Sequence, residues 1–178
     1  ASVTTGAPYT ADTTVSQQGS TSKVLTAWRV MQLVEAGRVD LDAPVQQYIS
    51  WRLPTGAFSG QGVTVRRLLS HTGGVACHGY TGLIGALPDT RTALDAQRED
   101  CCMPPGSWAP GDGATRVVTE PGSAFSYSGG GYHLLQLLLE EAYPSMTFAQ
   151  IMQPLLHHLG MQSSGFIAAP TAEWPAAL

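Results

Sequence analysis

Charged residues are scarce in this chain, and basic residues are the scarcest. Asp, Glu, Lys and Arg make up 12% of the 178 residues, the formal net charge is −4, and Lys23 is the single lysine. Basic residues form no cluster, which disfavours nucleic-acid binding, because neutralising phosphates requires grouped Lys and Arg. Long apolar runs are also missing. The apolar stretch 134–139 is interrupted by Gln136 and is far shorter than a membrane span.

Cysteine is represented by Cys77, Cys101 and Cys102 only. An odd count rules out complete internal pairing, but either member of the adjacent pair could bond to Cys77. Such a bond favours an exported protein, periplasmic or secreted. Three buried or free thiols are the alternative, which leaves a cytoplasmic location open. No zinc-like ligand spacing occurs, so we expect neither a metal nor another cofactor.

What is abundant is apolar material, at 43% of the residues, which is typical of a globular domain with a hydrophobic core. The chain does not begin with Met and shows no leader sequence at Ala1. We therefore expect that a leader was removed or that the chain was cut from a longer protein.

Helical patterns dominate, and strands are hard to find. Residues 20–36 form the clearest helix, with Val24, Trp28 and Met31 on one stripe and Gly37 as its stop. Residues 1–19 resemble a strand end and a loop. Residues 40–49 suggest a turn that closes as one helical turn, and 71–89 and 103–122 suggest loops. Further helices are predicted at 65–70 with Thr64 as cap, 90–97, 130–143, and 147–159 with Thr147 as cap, Gly160 as stop and Pro154 as a possible kink.

A Ser-x-x-Lys pattern, Ser20 to Lys23, stands at the start of the first helix. Residues three apart share one helix face, so the Lys23 amine can reach the Ser20 hydroxyl. A serine hydroxyl is a poor nucleophile until a base takes its proton, and a partly desolvated lysine can serve as that base. The helix N-terminus favours a developing anion, for which the Ser20 N–H is one donor. The plainer alternative is a capping serine beside a solvated lysine.

Several further segments of the chain form a recognisable series. They are GSTSK at 19–23 followed by TA at 26–27, LVEAG at 33–37, LDAPV at 41–45, VTVRRLLSHTGG at 63–74, PGSAFSYSGGGY at 121–132 and LGM at 159–161. In their order and spacing they resemble the class C β-lactamase and penicillin-binding-protein family, which includes related esterases and D-amino-acid peptidases. The resemblance covers about residues 6 to 166.

The resemblance implies catalytic roles for three residues. Ser20 is the nucleophile, Lys23 activates it, and Tyr127, which opens the second motif, relays protons beside them. That motif reads Tyr127-Ser128-Gly129, so the asparagine that the family places third is missing. The difference fits esterase and amide-hydrolase branches better than true β-lactamases or peptidases.

The resemblance also implies an α/β fold of the β-lactamase/transpeptidase type, of which this chain is mostly the helical region plus the nucleophile helix. The third motif, Lys-Thr-Gly or His-x-Gly on a strand, has no counterpart, because the His-x-Gly patterns at 71–73 and 158–160 belong to other segments. We therefore expect residues 1–178 to be a partial domain without its N-terminal strands, C-terminal strands and second oxyanion donor.

Three functions follow from these patterns. The leading hypothesis is a serine hydrolase that cleaves a small-molecule or peptide ester or amide, such as a β-lactam or a D-amino-acid peptide, through an acyl-enzyme on Ser20. The alternatives are a penicillin-recognising or regulatory binding module, and an inactive fragment that needs a partner chain, such as the remaining part of the same protein.

Other candidate residues receive structural interpretations. His71 is a possible base, but a loop histidine bonded to backbone is favoured. His157 and His158 end a helix, where a cation suits the dipole. Trp51 and Trp174 are expected to pack, and Tyr80 and Trp108 lie in loops that border the expected site.

Overall fold

The computed structural model describes residue 10 and residues 16–76, 89–95 and 115–166. Several predictions concern residues outside these ranges. They are most of the strand end expected before residue 16, the parts 77–88 and 103–114 of the two expected loops, and the end of the helix expected at 90–97. The residues Cys77, Tyr80, Cys101, Cys102, Trp108 and Trp174 also lie outside the described ranges.

Helix α1, Ser22–Glu35, follows directly on a 3₁₀ turn, Gly19–Thr21. It ends before Gly37, whose φ of 68° is the predicted left-handed stop. The face of α1 that packs inside carries Thr26, Val30 and Leu33. The apolar stripe predicted from the sequence lies on the other side, where Val24, Trp28 and Met31 are 65%, 47% and 42% exposed. The helix prediction is confirmed, but the apolar stripe does not mark its buried face.

The segment between α1 and the next helix is held by two short 3₁₀ turns, Val45–Gln47 and Gly60–Gly62. The first follows Pro44 and confirms the single helical turn expected there. Helix α2, Val65–Leu69, begins at Thr64, whose side chain accepts a hydrogen bond from the Arg67 N–H. This cap satisfies a backbone donor that the helix itself leaves unpaired, as predicted.

Helix α3 is Thr90–Asp95, α4 is Gly129–Ala142 and α5 is Phe148–His158. Helix α4 lies at the centre and contacts the other four helices. Its leucines are buried nearly all round, as predicted for an apolar helix. They are Leu134, Leu135, Leu137, Leu138 and Leu139.

Helix α5 has a capping box at its start, where Thr147 and Gln150 bond reciprocally, and Gly160 with a φ of 74° just after its end. It continues through Pro154. In the described ranges, β structure is limited to two isolated bridges, Pro44 with Thr64 and Val75 with Val117. No helix in this part of the chain has the length and apolar character needed to cross a membrane.

Candidate active site

Ser20 lies at the entrance to α1, in the middle of the 3₁₀ turn that precedes the helix. It is solvent-exposed, and the turn is closed by a hydrogen bond from the Thr21 N–H to the Gln18 carbonyl, 3.2 Å. The turn therefore presents the Ser20 hydroxyl outward at the positive end of a 14-residue helix.

Two side chains meet at the Ser20 hydroxyl. Lys23 Nζ lies 3.3 Å from Ser20 Oγ, and Tyr127 Oη lies 2.7 Å from the same atom. Lys23 Nζ also sits 5.0 Å from the centre of the Tyr127 ring and 5.6 Å from that of Tyr132. The structure therefore brings together all three residues that the sequence nominated, two from one helical turn and one from 107 positions away.

Tyr127 is placed by the segment that leads into α4. The next residue, Ser128, is the N-cap of α4, and its hydroxyl accepts the Gly131 N–H at 2.8 Å and donates to the Ala76 carbonyl at 3.3 Å. Because α4 is the central helix of the core, its capped start fixes the backbone next to Tyr127.

His71, in the loop that follows α2, contacts this segment. Its Nδ1 accepts a hydrogen bond from the Ser128 N–H at 3.1 Å, and its ring lies 4.4 Å from that of Tyr127 and 5.1 Å from that of Tyr132. The interpretation of His71 as a loop histidine bonded to backbone is thereby confirmed.

The electrostatics of the site favour ionisation of Tyr127. Burial raises the pKa of the Tyr127 phenol, but hydrogen bonding to Lys23 and Ser20 and the charge of Lys23 outweigh it, so the pKa lies below its usual value. Burial, with the nearby Tyr127, raises the pKa of Tyr132 instead. The pKa values of the two phenols are therefore shifted in opposite directions.

His133, on α4, belongs to the same electrostatic environment and was missed by the sequence reasoning. Burial, together with the charge of Lys23, lowers its pKa to about 4, so the imidazole is neutral at physiological pH. It lies four residues after Gly129, the glycine that stands where the family's second motif has an asparagine. This spacing puts both residues on the same face of α4. That spacing is the one signal in the sequence from which its place could have been inferred.

The arrangement is compatible with nucleophilic chemistry at Ser20. An exposed hydroxyl lies within hydrogen-bond reach of an amine, at 3.3 Å, and of a phenol with a lowered pKa, at 2.7 Å. Groups of these types next to a serine hydroxyl can take part in proton transfer.

The remaining candidate residues lie in structural positions, outside the sequence motif that contains Ser20. Trp51 packs against the core and donates its indole N–H to Asp95 at 2.9 Å. His157 and His158 occupy the last turn of α5. Among the residues that the structure describes, no three side chains of the types that bind metals lie together.

Comparison with known proteins gives a consistent result. The sequence model of the family described as Beta-lactamase matches residues 1–177. Penicillin-binding protein 4 of Amycolatopsis lactamdurans is 35% identical over 136 residues, which are 76% of this chain and 32% of that protein.

Two solved structures are similar as well. The penicillin-binding protein of Bacillus halodurans is 25% identical with a TM-score of 0.60, covering 85% of this chain and 42% of its own. The octameric penicillin-binding protein homologue from Pyrococcus abyssi is 29% identical with a TM-score of 0.56, covering 80% and 31%. This chain therefore spans less than half the length of each of these proteins.

Proposed function

The chain belongs to the beta-lactamase family, and on that premise we propose that it carries the nucleophile of a serine hydrolase that cleaves an ester or amide through an acyl-enzyme on Ser20. Its fold is the predicted α/β fold of the β-lactamase/transpeptidase type, and the described residues form mainly the helical region. The family is one of hydrolases, whereas the substrate and the roles of individual residues are part of the proposal.

One observation carries the proposal: the convergence of Lys23 and Tyr127 on Ser20 Oγ. A capping serine beside a solvated lysine would not require a third residue from a distant segment at 2.7 Å. The pKa of Tyr127, which Lys23 and Ser20 hold below its usual value, adds support, because perturbed pKa values cluster at functional sites.

In the proposed reaction, Ser20 Oγ attacks the carbonyl carbon while its proton passes to the Tyr127 phenolate, and Lys23, which lies within hydrogen-bond distance of Ser20 Oγ, activates the hydroxyl. The carbonyl oxygen becomes an oxyanion, and the Ser20 N–H at the start of α1 donates to it. Tyr127 then returns the proton to the leaving oxygen or nitrogen as the carbonyl re-forms. Water releases the acyl group by the same steps, and the serine regains its proton.

The second oxyanion donor is proposed to lie in a part of the protein outside these 178 residues. The Amycolatopsis relative is about three times as long as the stretch matched here, so there is ample chain to supply it. The residues 1–178 are then a partial domain, and its partner is the remainder of the same protein. Assays of this proposal accordingly use the full-length protein.

The substrate is proposed to be a small ester or an amide rather than a classical β-lactam. The support is Gly129, which stands where the family's second motif places an asparagine. A glycine has no side chain to hydrogen-bond an amide side chain of the substrate, so the site loses a contact that would select substrates that carry one. A p-nitrophenyl ester and a chromogenic cephalosporin, compared under the same conditions, test this preference.

The second candidate function is a binding module that acylates without turning over, and the same Gly129 supports it. A stoichiometric adduct on Ser20 that persists for hours, with no product beyond one equivalent, would favour this candidate. Continuous release of product would favour the hydrolase.

The experiment that tests the proposal is labelling of the full-length protein with a fluorophosphonate probe, followed by peptide mass mapping. We expect one adduct, on Ser20, and its loss in Ser20→Ala. Ser22→Ala is the matched control, because it removes a neighbouring serine hydroxyl from the same helix start. Labelling that survives in Ser20→Ala, or that is lost equally in Ser22→Ala, would contradict the proposal.

An exported location is part of the same proposal and rests on the cysteine pattern. A bond between Cys77 and Cys101 or Cys102 would persist only in an oxidising compartment. Alkylation before and after reduction distinguishes one free thiol, as proposed, from three.

A further inference from the structure

His71 adopts a backbone conformation that is uncommon for a residue other than glycine. Its φ is 56°, and in the described part of the chain it is the one residue other than glycine with a positive φ. Such a conformation costs on the order of 1–3 kcal/mol and persists only where the surroundings impose it. The strained residue stands beside the candidate active site, and no catalytic role assigned above accounts for it.

His71 forms hydrogen bonds with the residue before Tyr127 and with the residue after it. The Ser126 N–H donates to the His71 carbonyl at 2.8 Å, and the Ser128 N–H donates to His71 Nδ1 at 3.1 Å. Between those two bonds, the imidazole lies 4.4 Å from the Tyr127 ring, tilted by 31°. One residue therefore holds the backbone before Tyr127, the backbone after it, and one face of its ring.

The left-handed conformation lets His71 make both backbone bonds. Its own N–H donates to the Leu68 carbonyl at 3.2 Å, which ties it to the last turn of α2. From that anchor its carbonyl and its side chain both reach the segment 126–128. Phe125, 5.9 Å away and edge-on, adds a further ring contact to the same imidazole.

We propose that His71 is a positioning residue that holds the Tyr127 hydroxyl at hydrogen-bond distance from Ser20, an inference that rests on the proposed function. A tyrosine hydroxyl lies far from its Cα, so small backbone rotations displace it by more than the tolerance of a proton transfer. Catalytic groups need placement to about 0.5 Å, and errors of about 1 Å can cost on the order of 100-fold in rate. His71 restricts both the backbone and the ring.

The side chain of His71 offers a conservative replacement. Asparagine places Oδ1 where histidine has Nδ1, so it can accept the Ser128 N–H, and it tolerates a positive φ better than other non-glycine residues. His71→Asn therefore keeps the acceptor and loses the ring, whereas His71→Ala loses both. Comparing the two variants separates the backbone bond from the ring contact.

The first test is a double-mutant cycle with Tyr127→Phe in the full-length protein, measuring the rate of fluorophosphonate labelling at Ser20. We expect His71→Ala to slow labelling by about 10- to 100-fold and His71→Asn to recover part of the loss. In the Tyr127→Phe background the same His71 changes should alter the rate by less than about threefold, because a residue that acts through a hydroxyl has no effect once the hydroxyl is gone. Equal losses in both backgrounds would overturn the inference and indicate general support of the site.

The second test does not require activity. Ultraviolet titration of the phenols, taken as the difference between each protein and its Tyr127→Phe partner, isolates Tyr127 from all other tyrosines. We expect the pKa of Tyr127 to rise in His71→Ala, as contact with Ser20 and Lys23 is lost, and to rise less in His71→Asn. An unchanged titration in His71→Ala would overturn the inference.

The two tests also separate this inference from the proposed function. A wild-type protein that is not labelled on Ser20 contradicts the proposed function, yet the phenol titration still decides the role of His71. Labelling on Ser20 with additive effects of His71 and Tyr127 leaves the function standing and overturns the inference. If His71→Ala does not fold, the labelling rate and the phenol titration are both measured on His71→Asn.

Discussion

The neutral imidazole of His133 should make the protein lose stability in mild acid. Burial and the charge of Lys23 lower the pKa of His133 from an ordinary value of 6.5 to about 4. Between those pH values the His133 imidazole is protonated in the unfolded chain but neutral in the folded protein. The free energy of unfolding therefore falls as the pH falls. Above pH 6.5 both states are neutral at this residue, and the effect is absent.

The size of the effect follows from the shift. Each unit of pKa difference corresponds to about 1.4 kcal/mol, so the full shift amounts to about 3 kcal/mol below pH 4. At about pH 5, the loss attributable to His133 should be about 2 kcal/mol. That is a large part of the stability of a typical domain.

The assay is urea unfolding of the full-length protein and of His133→Gln, followed by intrinsic fluorescence at several pH values. The variant cannot be protonated at this position, so the difference in stability between the two proteins should shift by about 2 kcal/mol in favour of His133→Gln from neutral pH to about pH 5. His158→Gln is the control, because it removes an exposed histidine from the end of α5. Parallel pH profiles for the parent and His133→Gln would refute the reasoning.

Three further predictions concern catalysis, the core and a helix cap. Lys23→Met removes the amine 3.3 Å from Ser20 Oγ and should slow fluorophosphonate labelling by about 100-fold or more; an unchanged labelling rate would exclude a catalytic Lys23. Leu138→Ala empties a site that is 1% exposed and should lower the free energy of unfolding in urea by about 2–5 kcal/mol; a loss below 1 kcal/mol, roughly, would mean that the site collapses around the smaller residue. Thr147→Ala removes half of the capping box of α5 and should cost about 1 kcal/mol in the same assay, whereas Gln162→Ala, beyond the helix, should cost less.

Helix starts and stops were predictable because they depend on neighbouring residues. Thr64 and Thr147 cap the helices that follow them, and Gly37 and Gly160 take the left-handed conformation just after helix ends. Each of these features is determined by bonds within about four positions of the sequence. The boundaries accordingly differ from the predicted ones by only a residue or two.

The buried face of α1 was not predictable by the same means. Thr26 is buried, and its hydroxyl is satisfied because it donates a hydrogen bond to the Ser22 carbonyl at 3.1 Å. The larger and apolar Trp28 is 47% exposed. Which face is buried depends on where α4 and α5 lie, and those contacts are distant in sequence. An apolar stripe alone does not contain that information.

The candidate site, too, was predictable from the sequence only in part. The pairing of Ser20 with Lys23 follows from helical spacing, which is local. Tyr127 could be joined to them only through the family resemblance, since 107 residues separate it from Ser20. His133 was missed because its effect depends on α4 lying against α1. Its spacing from Gly129 indicates a shared face of α4 but not the contact of that helix with α1.

The most direct test of the account is to trap the acyl-enzyme during turnover. The full-length protein is mixed with a p-nitrophenyl ester, quenched in acid within the first turnover, and mapped by peptide mass spectrometry. The account predicts one added acyl group on the peptide that contains Ser20, and none in Ser20→Ala. Ester hydrolysis that continues in Ser20→Ala, or an acyl group found on another residue, would contradict it.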